Sequence, residues 1–229
     1  MGTVPSPRVL RVDVPELYDY DDLRRTREAT MFVVRVERAT LVLGGSQRLD
    51  ALNLERLNAT PLLRRRGGGG LVLLQPGDLW IDWWIPSDDA RWSKDVHVSS
   101  INVGRWWHYV LRERVKGQIT VHDGPMAGDP AHRLVCFAGR GPGEVFVDDR
   151  KAVGVTQWRV REGVFVSSVL PARSSSEILE YLSDVPEGLD DALDHHVLTS
   201  LFLGEPDELI GELRRVSGPW RDRVIDPGN

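Results

Sequence analysis

Residues 64–70 read Arg-Arg-Arg-Gly-Gly-Gly-Gly and run straight into Leu-Val-Leu-Leu, so the densest positive charge meets the most flexible backbone. Glycines let backbone N–H groups approach an anion that a side chain would keep away. Guanidinium forks beside them add charge-assisted hydrogen bonds to a phosphate or carboxylate. A flexible linker would account for the glycines but not for the apolar run behind them. Lys151 stands out for another reason. The only lysines are Lys94, Lys116 and Lys151, and arginine supplies the rest of the positive charge. A lysine kept at such a place suits a compact ammonium held near a carbonyl or phosphate oxygen. The other reading is an exposed lysine in the turn Asp148-Asp149-Arg150-Lys151. Cys136, the one cysteine, is either an inert buried residue or a nucleophile. A nucleophilic thiolate would need positive charge from Lys151, Arg140 or Arg65.

These residues need a scaffold, and the hydrophobic pattern supplies one. Residues 32–44 are rich in β-branched side chains and read as one or two strands ended by a Gly-Gly turn. Residues 49–61 predict a short helix stopped by Pro61. Residues 71–74 and 79–85 flank a Pro-Gly turn and predict an antiparallel hairpin. In the second of these, Leu79, Ile81, Trp83 and Ile85 share one face, and Trp80, Asp82 and Trp84 the other. Val103, Trp106, Trp107 and Val110 recur at helical spacing, so residues 99–114 predict an amphipathic helix. Strands are expected over 118–122, 133–139, 144–148, 151–160 and 164–170. Helices are expected at 19–30, 175–182 and 206–216. The pattern predicts an α+β fold with a mixed, largely antiparallel sheet flanked by helices.

Bulk properties narrow the function. At 229 residues the chain suits one domain with a modest appendage, divided here as 1–172 and a helical segment 173–229 packed on it. Its formal net charge of −5 gives no general reason for nucleic-acid binding, so the anion site is local. No apolar run approaches a membrane span, and residues 1–20 do not read as an export signal. The lone cysteine fits a reducing compartment, with the cytoplasm as default. His195-His196 point differently on a helix and find no third partner at a telling spacing, so no metal site is expected.

Three segments, taken in order, resemble the lipoate–protein ligase A family, which shares its fold with biotin–protein ligases and octanoyltransferases. They are Gly44 to Gln47, then Arg64, Arg65 and Gly68 to Gly70, then Lys151, Gly154, Gln157 and Arg159. The resemblance spans roughly 35–170. It implies transfer of a lipoyl- or octanoyl-type acyl group to a lysine of a lipoyl-carrier domain or a glycine-cleavage H-type acceptor. Arg64, Arg65, Gly68, Gly69 and Gly70 would hold a phosphate or carboxylate, Lys151 the acyl oxygen. Gly154 would allow close approach of backbone to ligand, with Gln47, Asp78 and Gln157 in the pocket wall. ATP and Mg²⁺ follow for a ligase working through an acyl-adenylate. No cofactor follows for a transferase that loads Cys136 from an acyl carrier protein, since Cys-Phe upstream of the lysine also resembles that branch. Leu74-Gln75 and Val166-Ser167 replace the family's His-Asp and His-Gly. That leaves room for a different acyl substrate, or for a relative that binds without chemistry.

Overall fold

The computed structural model describes residues 14–129, 131–174, 176–195, 197–199, 203 and 205–225. Residues 1–13, read above as carrying no export signal, lie outside the described residues, as do His196 and the His195 side chain. The elements run α1 (Tyr20–Arg25), β1 (Thr30–Val34), β2 (Thr40–Leu43), β3 (Leu62–Arg64), β4 (Val72–Leu74), β5 (Leu79–Pro86) and α2 (Val98–Leu111). They continue as β6 (Ile119–Val121), β7 (Val145–Val147), β8 (Arg150–Val160), β9 (Gly163–Leu170), α3 (Leu189–His195), α4 (Pro206–Ser217) and β10 (Arg221–Ile225).

Seven strands form the main sheet in the order β10-β1-β5-β9-β8-β7-β6, and β3-β2-β4 form a smaller one. Among the strands of the described residues, β1–β10 and β2–β3 pair in parallel and the other pairs are antiparallel, so the α+β, largely antiparallel expectation holds. The alternation in β5 places one set of side chains on each face of the main sheet. Ile81, Trp83 and Ile85 pack with Val103, Trp107 and Val110 of α2 and Leu213 of α4. Trp80 and Trp84 join Phe165, Leu41, Leu43 and Leu74 on the opposite side, beneath the small sheet. The Trp107 indole N–H donates to Ser168 Oγ at 2.8 Å, giving this buried ring its polar partner.

Four local expectations are corrected. The predicted hairpin does not form: β4 pairs with β2 in the small sheet, whereas β5 lies between β1 and β9 in the main one. The Asp78 carboxylate fixes this change of sheet by accepting from Gln75 N at 2.8 Å and Ala172 N at 2.7 Å. Residues 49–61 form two 3-10 turns, Leu49–Ala51 and Leu54–Arg56, instead of a helix. Their backbone is drawn off by a neighbour, with Asn53 N donating to Tyr181 O and Ser183 N to Ala51 O. The predicted strand at 133–139 makes one bridge, Leu71 to Val135, and then winds into a 3-10 turn at Cys136–Ala138. The segment expected as helix near 175–182 is a 3-10 turn, Ser176–Tyr181, and the chain past 172 also contributes strand β10.

Candidate active site

The two glycine segments interlock. Gly45 N donates to Gly67 O at 2.8 Å, and a Cβ on Gly44 would fall 2.0 Å from Gly69 O. Gly69 has φ +89, a conformation that favours glycine. Gln47 braces the same loop: its Oε1 accepts from Gly44 N and its Nε2 donates to Leu134 O, both at 2.9 Å.

Arg64 and Arg65 are turned onto this backbone. Arg64 Nη1 donates to Gln47 O at 2.8 Å and Gly44 O at 3.1 Å. Arg65 is 4% exposed, and its fork donates to Gly70 O at 2.7 Å, Gly68 O at 2.9 Å and Val42 O at 3.2 Å. Thr156 Oγ1 also donates to Gly68 O at 2.9 Å. With these carbonyls held, the N–H groups of Gly68, Gly69 and Gly70 have no acceptor among the described residues.

That loop forms one wall of an open cleft of about 550 Å³. Gln47, Gly68, Gly69, Gly70, Cys136 and Gln157 line it, and so do Arg133, Arg140 and Glu144. Glycine N–H groups without an acceptor and cationic side chains lining one cleft suit an anionic ligand. Sequence reasoning named the loop but not Glu144 or Arg133, which carry no spacing signal. Gly70 allows the close approach of the Cys136 segment, because a Cβ there would lie 2.6 Å from Arg133 O and 2.7 Å from Cys136 N. Gly70→Ala is therefore expected to displace the Cys136 turn and cost several kcal/mol. A urea midpoint unchanged from wild type would contradict this.

A second, narrow cavity opens beside the cleft, with Cys136, Val155 and Thr156 lining both. Its walls are mostly apolar, with Val42, Val72, Leu74, Phe137 and Val169 among them, and Trp80, Gly154 and Arg65 also line it. Gly154 lets Phe137 pack over β8, since a Cβ there would meet the ring at 3.3 Å.

Lys151 is 1% exposed and so is not a surface turn lysine. It lines neither the cleft nor the slot but a third cavity, with Phe137, Arg140 and Asp191. Its Nζ donates to Cys136 O at 2.8 Å and pairs with Glu144 Oε2 at 2.7 Å, so it reaches the cleft through these two residues. The same Glu144 oxygen accepts from Gly141 N at 2.6 Å. Burial pushes Glu144 above the ordinary carboxylate range, although the ammonium and these hydrogen bonds pull the other way. Burial likewise pushes the Cys136 thiol up, against the opposing charge of Lys151 and Arg65. Gln157 donates through Nε2 to Val96 O and keeps Oε1 buried without a protein partner. Asp78 stands apart from both cavities, in the turn between β4 and β5.

Beneath the slot, Asp82 is fully buried. It accepts from Tyr18 Oη and Trp80 Nε1, both at 2.5 Å, and from Ser167. Burial is the main cause that raises its pKa to about 7. The native state then keeps a proton that the unfolded chain has lost above about pH 4. Its contribution to stability is full below that pH and declines as pH rises to about 7. Urea midpoints measured from pH 4 to 8 should show the wild-type advantage over Asp82→Asn narrowing across this window, by at most about 4 kcal/mol. A constant difference would contradict the assignment.

No protein-family model matches the chain, and no curated protein matches it in sequence. Solved structures do. The Thermoplasma acidophilum protein Ta0514 with bound lipoic acid aligns at 18% identity over 90% of this chain and 82% of that one, TM-score 0.64. A lipoate-protein ligase A bound with ATP gives the same identity, coverage and TM-score. The bi-partite T. acidophilum lipoate protein ligase, studied with its E2 lipoyl domain, aligns at 16% identity over 91% and 80%, TM-score 0.66. The chain therefore has the fold of the lipoate–protein ligases.

Proposed function

We propose that the protein is a lipoate-ligase-like enzyme that activates a carboxylic acid of the lipoyl or octanoyl type with ATP. It then passes the acyl group to a lysine of a lipoyl-carrier domain. The observation that carries this reading is the meeting of an apolar slot and a glycine-walled cleft at Cys136 and Thr156. An acyl-adenylate has that shape: an apolar tail, a reactive carbonyl and a phosphate. The likeness to structures holding lipoic acid and ATP supports it.

In this reading the carbonyl sits near Cys136. The N–H groups of the glycine loop face the phosphate, and Arg133 and Arg140 add charge at the cleft. Lys151 supplies positive charge close to the reacting carbon. ATP fits this donor set, and its phosphates supply the leaving group for activation of the acid. Among the described residues no group of three or more His, Cys, Asp or Glu side chains is placed to hold a metal; Mg²⁺ would be held in part by the ATP phosphates. Attack by the acceptor amine forms the amide, releases AMP and gives up a proton.

The alternative is a thioester on Cys136, loaded without ATP from an acyl carrier protein. Its nucleophile is the thiolate, and the raised thiol pKa disfavours that form. Acid-dependent exchange of pyrophosphate into ATP tests the choice. The exchange should be present in wild type and persist in Cys136→Ser within a few-fold. No exchange, with transfer abolished in Cys136→Ser, would overturn the adenylate reading. No helix among the described residues is long and apolar enough to cross a membrane.

A further inference from the structure

The slot has a built end. Across the main sheet, Thr156 of β8 lies opposite Ser167 of β9, which lies opposite Asp82 of β5; one step along, Gly154, Val169 and Trp80 form the next row. These rows make the floor of the slot, from β8, where Phe137 packs on Gly154, to Trp80 two strands away. Two inter-strand spacings give a floor of about 10 Å. The free space along it is only about 30 Å³, so the slot is narrow. Trp80 is 2% exposed and cannot swing freely. Its indole N–H is held by Asp82, whose other oxygen is held by Tyr18 at 2.5 Å.

The geometry points to Trp80 as the residue that sets acyl-chain length, with Asp82 and Tyr18 as positioning residues that lock its indole across the slot. This rests on the proposed acyl-transfer reading and deepens it, since a floor of about 10 Å closed by Trp80 sets the longest chain near octanoyl. Ser167 belongs to the same device: it spends its hydroxyl on Asp82 and leaves the slot with an apolar surface. An aliphatic tail matches that surface.

The test is a chain-length profile. The full-length protein is given ATP, Mg²⁺, a lipoyl domain and straight-chain acids of two to ten carbons or lipoate, and in a parallel arm the matching acyl thioesters. Wild type should use octanoate at least tenfold better than decanoate. Trp80→Ala should shift that preference at least tenfold toward decanoate, through KM. Trp80→Leu, which keeps more of the core, should move it part of the way. Asp82→Asn should broaden the profile without abolishing turnover.

Thermal stabilisation by the same acids reads the slot without turnover, so it separates two failures. If chain-length-dependent binding shifts in Trp80→Ala but no donor is turned over, the acyl-transfer reading fails and the slot assignment stands. If wild type binds and uses decanoate as well as octanoate, or a folded Trp80→Ala or Trp80→Leu leaves the profile unmoved, the Trp80 proposal is overturned.

Discussion

Lys151→Met is expected to abolish acyl transfer and to lower stability by about 3–5 kcal/mol, the range for breaking a buried ion pair from one side. The loss of stability arises at Glu144. Its carboxylate is 4% exposed, and without the ammonium 2.7 Å away it must take up a proton or remain charged in the interior. The loss of activity has a different origin, the absence of positive charge behind the Cys136 carbonyl, where the acyl group is expected to react. The double variant Lys151→Met, Glu144→Gln separates the two. It removes both charges and keeps a side chain of similar shape, so it should recover most of the urea midpoint and no activity. Recovery of transfer in the double variant would make the pair structural only.

Arg65→Met should be damaging too, through the backbone. The guanidinium is the partner of three carbonyls, those of Val42, Gly68 and Gly70. Methionine fills much of the volume but donates nothing. An unpaired buried polar group costs about 1–3 kcal/mol. Thr156 still reaches Gly68 O and Val42 still pairs with Val72 of β4, which leaves the Gly70 carbonyl stranded at about 1–3 kcal/mol. The glycine loop should loosen, with faster amide exchange at residues 67–71 and nucleotide affinity reduced at least tenfold. Arg65→Lys should recover only part of this, since an ammonium lacks the planar fork that spans separated carbonyls. Protection of the loop equal to wild type in Arg65→Met would show that the arginine is not its brace.

The role of these arginines shows where sequence reading stops. Arg-Arg beside a glycine run points to an anion site, and the glycines do wall a cleft. Yet the guanidinium groups grip the loop from behind, and what faces the cleft is the backbone they hold in place. Spacing cannot reveal which way a side chain turns. The faces of β5 were legible, because alternation fixes them, and so were the helices α2 and α4. The hairpin was misread because the turn at 75–78 carries the chain from one sheet to another, a choice made by Asp78 and Ala172 far apart in sequence. The pocket partners were invisible for the same reason. Tyr18 meets Asp82 from 64 residues away, and Glu144 meets Lys151 only because β7 and β8 fold back on each other. Cys136 was expected on a strand, but the single bridge to Leu71 ends in a tight turn that brings it to the mouth of both cavities.

The most direct test is intact-mass spectrometry of a lipoyl acceptor domain incubated with the protein, ATP, Mg²⁺ and the acid series. The predicted result is one acyl group per acceptor lysine, formed only with ATP and absent with Lys151→Met, Glu144→Gln. An acceptor left unmodified by every acid and every acyl thioester would contradict acyl transfer at this site.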